Sequence, residues 1–232
     1  MRREFYLTIS ISGLALSLVD FQTSLTGYVE YFVLLLAILA VILFHRSARG
    51  EYYRKIVHIL CCLLLHFLYI SFGYSLSLLT LSILVLIGSL AVERVDKLGK
   101  ITKSVINKFS RENEPPGYCA LNLASGALLV LLLQFFIKIE YSTLSIVISG
   151  IGDSIASLAG LHFGKHRLLN KSIEGAFALF IVISAATYTI VGYFSLIVAF
   201  ISAVGELCSP IDDNIVLPPL LYILLCFSTL VI

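Results

Sequence analysis

Charge is what this sequence lacks most. Only 13 % of its 232 residues are Asp, Glu, Lys or Arg, while 59 % are apolar and the mean hydropathy is +1.01. A water-soluble surface wants roughly a quarter or more charged residues, so a soluble globular domain is excluded and the solvent of most of the chain is lipid. Cysteine is sparse as well. Cys61, Cys62, Cys119, Cys208 and Cys226 are odd in number, fall mostly in apolar stretches and form no C-x-x-C pair, which excludes a disulfide frame and a zinc site and leaves them as small apolar residues. The apolar runs lack the alternation of a transmembrane barrel, so only helices can satisfy their backbone in hydrocarbon. Low-complexity tracts and internal repeats are absent, and a single integral membrane domain over residues 1–232 is expected.

What the chain does have is long apolar runs separated by short connections. A span takes about 20 mostly apolar residues, and the candidates are Phe5 to Val19, Tyr28 to Phe44, Ile56 to Phe72, Ser75 to Val92, Cys119 to Ile137, Thr143 to Phe163, Ala176 to Val191, Phe194 to Leu207 and Leu217 to Ile232. The expected fold is therefore all-α: a polytopic transmembrane helix bundle of about nine spans.

Positive charge is missing from one set of connections almost entirely. Fifteen of the 16 Lys and Arg fall at the amino terminus or in the second, fourth and sixth connections, and Lys138 is the exception. By the positive-inside rule the amino terminus is cytoplasmic, and nine spans put the carboxyl terminus outside. Arg2 and Arg3 before a short apolar stretch would also suit a cleaved signal, but no small-x-small cleavage site follows. The longest connection, Glu93 to Tyr118, repeats Leu98, Ile101, Val105 and Phe109 at helical spacing, with lysines on the other faces. This predicts a basic amphipathic helix at 93–110 lying on the cytoplasmic surface, or else a solvated basic loop that only fixes topology. The net charge of +2 says little, but its placement suits anionic lipid head groups and a polyanionic cytosolic substrate.

Three polar constellations carry chemistry. In the sixth span Ser149, Asp153 and Ser157 recur every four residues beside a stripe of Gly152, Ala156, Gly160 and Gly164. The small stripe lets a neighbouring helix approach closely. Asp153 is different: in an apolar helix it costs about 2.5 to 3.5 kcal/mol, so it should face a cavity, a cation or a basic partner. The connection that follows holds Gly164, Lys165, His166, Arg167, Asn170, Lys171, Ser172, Glu174 and Gly175. Cations, amides and glycines ahead of a helix start make a phosphate-binding composition, although the run is not a Walker loop and lacks its Ser or Thr.

Glu206, Asp212, Asp213 and Asn214 form an acidic cluster where the eighth span ends, with no Lys or Arg beside them. Such carboxylates share divalent metal ions, magnesium rather than zinc given hard oxygen donors, or are neutralised by cations from across the bundle; Asp212 to Asn214 is also a good turn. The third constellation is Arg54, Lys55 and His58 at the start of the third span, read as phosphate contacts or, for the two cations, as topology anchors. Arg54 and His58 share a helix face that continues through Cys62 to His66, a stripe without evident further metal ligands.

Four of these runs, R-K-I-V-H from Arg54 to His58, G-D-S-I-A-S-L-A-G-L-H-F-G-K from Gly152 to Lys165, N-K-S-I-E-G from Asn170 to Gly175 and G-E-L-C-S-P-I-D-D-N-I-V-L-P from Gly205 to Pro218, together resemble the CTP-dependent isoprenoid and lipid alcohol kinases. That family includes dolichol, phytol and CTP-using diacylglycerol kinases. The resemblance covers residues 54 to 218. It implies transfer of the γ-phosphate of CTP, with a divalent cation such as Mg2+, to the hydroxyl of a membrane-embedded polyprenol such as dolichol.

On that reading Asp153 serves magnesium or the attacking hydroxyl, and Lys165, Arg167 and Lys171 hold triphosphate oxygens. Glu174 and Gly175 serve loop geometry or metal; Glu206, Asp212, Asp213 and Asn214 serve metal or nucleotide recognition. Gly152, Gly164, Asn170, Ser172, Arg54, Lys55 and His58 complete the nucleotide side, with Asp153, Lys171 and Glu174 as the catalytic set. The expected partners are a nucleoside triphosphate, a lipid alcohol and the bilayer, with no nucleic acid. The physics is compatible: the alcohol is confined to lipid and the triphosphate to water, so they meet at the cytoplasmic ends of helices, where positioning and charge neutralisation do most of the catalysis. A cytidylyltransferase would need a lipid phosphate acceptor and a further basic pocket. A secondary transporter would need repeated halves with polar groups at mid-membrane depth.

Overall fold

A computed structural model describes residues 2–19, 33, 36–39, 50–92, 115–168 and 171–231. Helices dominate: α1 (Arg2–Val19), α2 (Glu51–Val92), α3 (Tyr118–Ile137), α4 (Ser142–Phe163), α5 (Ile173–Val191), α6 (Ser195–Cys208) and α7 (Asp213–Val231). Two short antiparallel strands, β1 (Arg167–Leu168) and β2 (Lys171–Ser172), pair between α4 and α5, with Arg167 opposite Ser172. Five segments among the described residues are long and apolar enough to cross a membrane: Glu51–Val92, Tyr118–Ile137, Ser142–Phe163, Ile173–Cys208 and Asp213–Val231. The amphipathic helix expected at 93–110 and most of the stretch Tyr28 to Phe44 lie outside the described residues.

Two of the five segments turn back on themselves. In α2 the helical dihedrals break at Gly73 (φ 84°, ψ 176°), a conformation that only glycine adopts without a steric penalty. Before the break, Lys55 meets Asp153 and His66 meets Thr143, so this half runs antiparallel to α4. After it, Tyr74 reaches the Leu131 carbonyl while Gly88 lies against Leu121, so the second half runs antiparallel to α3. The runs Ile56 to Phe72 and Ser75 to Val92 are thus two legs of one helical hairpin. A 3-10 turn at Gly192–Phe194 reverses the chain between α5 and α6 in the same way, and Lys171 and Glu206, at the far ends of those legs, meet again.

Hydrocarbon offers no hydrophobic force between helices, so association rests on close packing and on satisfied polar groups. Several buried serines settle their hydroxyls on the preceding turn of their own helix: Ser82 on the Leu78 carbonyl, Ser125 on Leu121, Ser154 on Gly150. The small stripe of α4 meets α5 as the spacing predicts. A side chain on Gly152 would strike Leu179, and one on Gly160 would strike Ser172. Apolar packing divides into two clusters, one around Leu128, Leu131 and Ile146, the other around Leu179, Ile183 and Leu221.

Helix α1 is built into the first cluster. Tyr6 is buried and donates to Asn122 Oδ1 at 2.6 Å near the start of α3, and Gly13 lies against Ser82 and Leu128. The start of α1 therefore shares one end of the bundle with the starts of α2, α3, α5 and α7 and the ends of α4 and α6.

Candidate functional site

Five charged side chains gather at that shared end. Lys55, in the second turn of α2, donates to Asp153 Oδ2 of α4 at 2.6 Å, and the two residues are only 3 % and 5 % exposed. Lys171, on β2, donates to Glu206 Oε1 at 3.0 Å and to the Glu206 carbonyl at the end of α6, and pairs with Asp213 Oδ1 at the start of α7. The two groups are electrically one site: Glu206 senses Lys171, Asp153 and Lys55, and Asp213 senses Lys171, Glu206 and Asp153. Three carboxylates face two ammonium groups, which answers the cost of carrying ions into an apolar bundle.

Local structure explains how these side chains are aimed. Asp212 caps α7, accepting from Asn214 N at 3.0 Å. Pro218 lacks the N–H that would bind the Asn214 carbonyl, and that carbonyl instead lies against α3, where a side chain on Gly126 would overlap it. The start of α7 is thereby drawn into the bundle with Asp213 and Asn214 on it. On the other side Ser172 caps α5 by accepting from Gly175 N at 3.0 Å, and a side chain on Gly175 would come within 2.8 Å of the Ala156 carbonyl. These contacts fix β2 against α4 and bring Lys171 over the acidic cluster.

Beneath the charges a small cavity of about 10 Å³ opens between α2, α3, α4 and α7. His58, Ser149, Asp153, Asp213 and Asn214 lie around it with Leu123, Leu217 and Pro218, and the surface they turn toward it is almost wholly apolar.

Of the residues expected from sequence, Lys55, His58, Asp153, Lys171, Glu206, Asp213 and Asn214 come together here. Others do not. Lys165 and Arg167 are exposed on the strand hairpin, and Arg54 pairs with Glu51 one turn away on its own helix. Glu174 turns outward to His166, accepting from its backbone N–H at 3.1 Å and meeting Nδ1 at 2.8 Å, so it holds the hairpin's base. Gly152, Gly164, Ser172 and Gly175 serve the packing of α4 on the α5 junction, and Asn170 lies outside the described residues. Gly126 and Gly150, whose missing side chains let α7 and α2 close in, were not singled out from sequence; each is a glycine inside an apolar run next to a serine, and that is their only signal.

Among the described residues no three His, Cys, Asp or Glu side chains converge as a ready cage for a metal ion. Magnesium seldom uses such a cage: it is held by one or two carboxylates together with substrate phosphates. Asp153, Glu206 and Asp213 are hard oxygen donors of the type such an ion takes, and each is paired with a lysine here.

No family model matches the sequence, and no solved structure does. Two proteins are similar to it. A dolichol kinase of Schizosaccharomyces pombe is 26 % identical over 197 residues, which take in 76 % of this chain and 38 % of that protein. An uncharacterized protein of Methanocaldococcus jannaschii is 32 % identical over 174 residues, 72 % of this chain and 88 % of that protein. The chain thus spans less than half the length of the dolichol kinase and most of the length of the archaeal protein. It belongs to one family with the Methanocaldococcus protein, and its distant homology to the Schizosaccharomyces enzyme supports reading that family as dolichol kinase-like.

Proposed function

We propose that this protein is a lipid alcohol kinase that transfers the γ-phosphate of CTP to the hydroxyl of a membrane-embedded polyprenol of the dolichol type. The observation that carries the reading is the meeting of Lys55, Asp153, Lys171, Glu206 and Asp213 at one end of an apolar bundle, together with the distant homology to a dolichol kinase. The bundle has about nine crossings in this reading, its amino terminus is cytoplasmic, and the charged end faces the cytosol, where the nucleotide is.

The acceptor oxygen forms a bond to the γ-phosphorus while the bond from that phosphorus to the bridging oxygen breaks, releasing CDP and the hydroxyl proton. Little covalent chemistry falls to the protein, and positioning and charge stabilisation are its work. Lys171 donates to phosphate oxygens in place of the Glu206 carbonyl and Asp213. Lys165 and Arg167, on the exposed hairpin, meet the outer part of the triphosphate. Asp153, Glu206 and Asp213 are the residues that hold a divalent cation, which neutralises phosphate charge when bound. Glu174 keeps the hairpin's base in place through His166.

The test uses membranes containing the protein, labelled CTP or ATP, magnesium, and a panel of farnesol, geranylgeraniol, phytol, dolichol and diacylglycerol. Lipid phosphate and CDP are the expected products. Asp153→Asn and Lys171→Ala should each lower the rate by about a hundredfold or more, the scale of losing a placed charge at a phosphoryl site. Pyrophosphate release would show a cytidylyltransferase instead, and full activity of both variants would refute the site.

A further inference from the structure

We infer that Lys171 is a built-in counter-ion that closes the carboxylates of Glu206 and Asp213 to a divalent cation until a triphosphate draws it away, so that cation and triphosphate enter the site together. This rests on the kinase reading for the triphosphate and deepens it by naming what keeps the site shut without one.

Occupancy is the first argument. An oxygen of each carboxylate in the cluster already holds an ammonium group: Asp153 Oδ2 takes Lys55, while Glu206 Oε1 and Asp213 Oδ1 share Lys171. Magnesium sits about 2.0–2.1 Å from its oxygens and gives up its waters reluctantly, so it reaches these atoms only where a lysine lets go. A lysine that let go with nothing to receive it would be left as an unpaired charge in an apolar bundle, which is strongly unfavourable.

Charge is the second. Counted as ionised, three carboxylates against two ammonium groups leave one negative charge over. A divalent cation entering alone would turn that excess positive, next to two ammonium groups that repel it. A triphosphate reverses the balance. It brings its own negative charge and oxygens that accept from lysine, so the ammonium group and the cation both find partners.

Freedom to move is the third. Lys55 is buried within a long helix, whereas the Lys171 side chain is 21 % exposed and stands on a two-residue strand. A lysine carries its charge on a flexible four-carbon stem with three rotatable donors. Lys171 can therefore exchange the Glu206 carbonyl and the two carboxylates for phosphate oxygens without shifting a helix. Lys55 is the fixed half of the positive charge, and Lys171 is the movable half.

The experiment is equilibrium dialysis of Mn2+, a hard cation taken by the same oxygen ligands, against the full chain in a non-ionic detergent with no nucleotide. The wild type should hold Mn2+ more weakly than about 0.1 mM, outside the range of sites that buffer or sense such an ion by themselves. Lys171→Gln should bind it about tenfold or more tighter, because the competing charge is gone. Lys171→Arg keeps that charge and should bind as the wild type does. Lys165→Gln removes an exposed charge from the same hairpin and should change the affinity by less than about threefold. Asp213→Asn added to Lys171→Gln should cancel the gain. Should Lys171→Gln fail to accumulate, the wild type decides: inorganic triphosphate, present equally on both sides of the dialysis, should bring Mn2+ onto the protein. Tighter binding by the wild type alone, no gain in Lys171→Gln, a gain that survives Asp213→Asn, or retention unmoved by triphosphate would overturn the inference. None of these measurements needs turnover or an acceptor, so a wild type that phosphorylates no alcohol would refute the kinase reading and leave them standing.

Discussion

The two ends of the bundle both bury polar side chains, but of different kinds. At the end with the Gly73 and Gly192 turns the links join hydroxyls, an amide and an imidazole. Gln134 Nε2 donates to Tyr69 Oη at 2.7 Å, Tyr74 donates to the Leu131 carbonyl at 2.9 Å, Tyr222 donates to the Ile139 carbonyl at 2.8 Å, and His66 meets Thr143 at 3.0 Å. At the other end, beside the Tyr6 to Asn122 hydrogen bond, the links are between ammonium and carboxylate groups. Neutral hydrogen bonds stitch helices at little desolvation cost, whereas ion pairs placed in an apolar bundle roughly break even at best against apolar packing. A protein that needed only to hold its helices together had the cheaper device at hand. The charges at the other end are there for something else.

The sharpest way to break this contrast is to take away Lys55. Lys55→Met removes the buried ammonium that faces Asp153, and breaking a buried pair from one side costs about 3–5 kcal/mol. Equilibrium unfolding in mixed micelles should show that loss. Lys55→Met combined with Asp153→Leu should regain most of it, because the desolvation of both ions is then relieved together. Stability recovered without activity would separate the two roles cleanly. A double variant as unstable as the single one would mean that the pair is structural.

A smaller effect belongs to the opposite end. Tyr222 is fully buried, and Tyr222→Phe removes its donor to Ile139 while keeping the ring. About 1 kcal/mol of stability should go, the usual worth of one neutral hydrogen bond, while the rate of lipid phosphate formation stays within about twofold of the wild type. A large fall in rate with unchanged stability would place a functional group at the wrong end of the bundle.

How far the site was legible in the sequence follows the same division. Asp153 and Glu206 stood out because an ionised group in an apolar run has to be answered by something, and Lys171 and Asp213 because they flank helix starts. What spacing could not give was the pairing. Lys55 lies 98 residues before Asp153, and Lys171 lies 35 and 42 residues from Glu206 and Asp213, separations that only the fold closes. The helical hairpin of α2 was half legible: the apolar runs stop at Phe72 and resume at Ser75, but nothing local says that Gly73 takes a positive φ. The connection between α4 and α5 looked like a single phosphate loop from composition. The strand pairing divides it: β2 lies half-buried against α4 and brings Lys171 to the acidic cluster, whereas β1 is the outer strand, so Arg167 on it and Lys165 just before it are exposed.

Glu174 gives the finest test of the contrast, since it lies at the charged end but turns away from the charged cluster. Its carboxylate holds the backbone N–H and the ring of His166, so it acts on the lysines only through the hairpin that carries them. Glu174→Gln keeps the shape and one accepting oxygen. The rate should fall by less than about tenfold, and the loss should appear as a raised nucleotide KM with the acceptor KM unmoved, since loosening the hairpin weakens ground-state and transition-state contacts to the phosphates alike. His166→Ala should reproduce the effect, and the two substitutions combined should cost little more than either alone, as residues acting through one contact do. A collapse in kcat as deep as that of Asp153→Asn, with both Michaelis constants unchanged, would instead put Glu174 against the reacting phosphate and require the hairpin to close over the cluster when nucleotide binds.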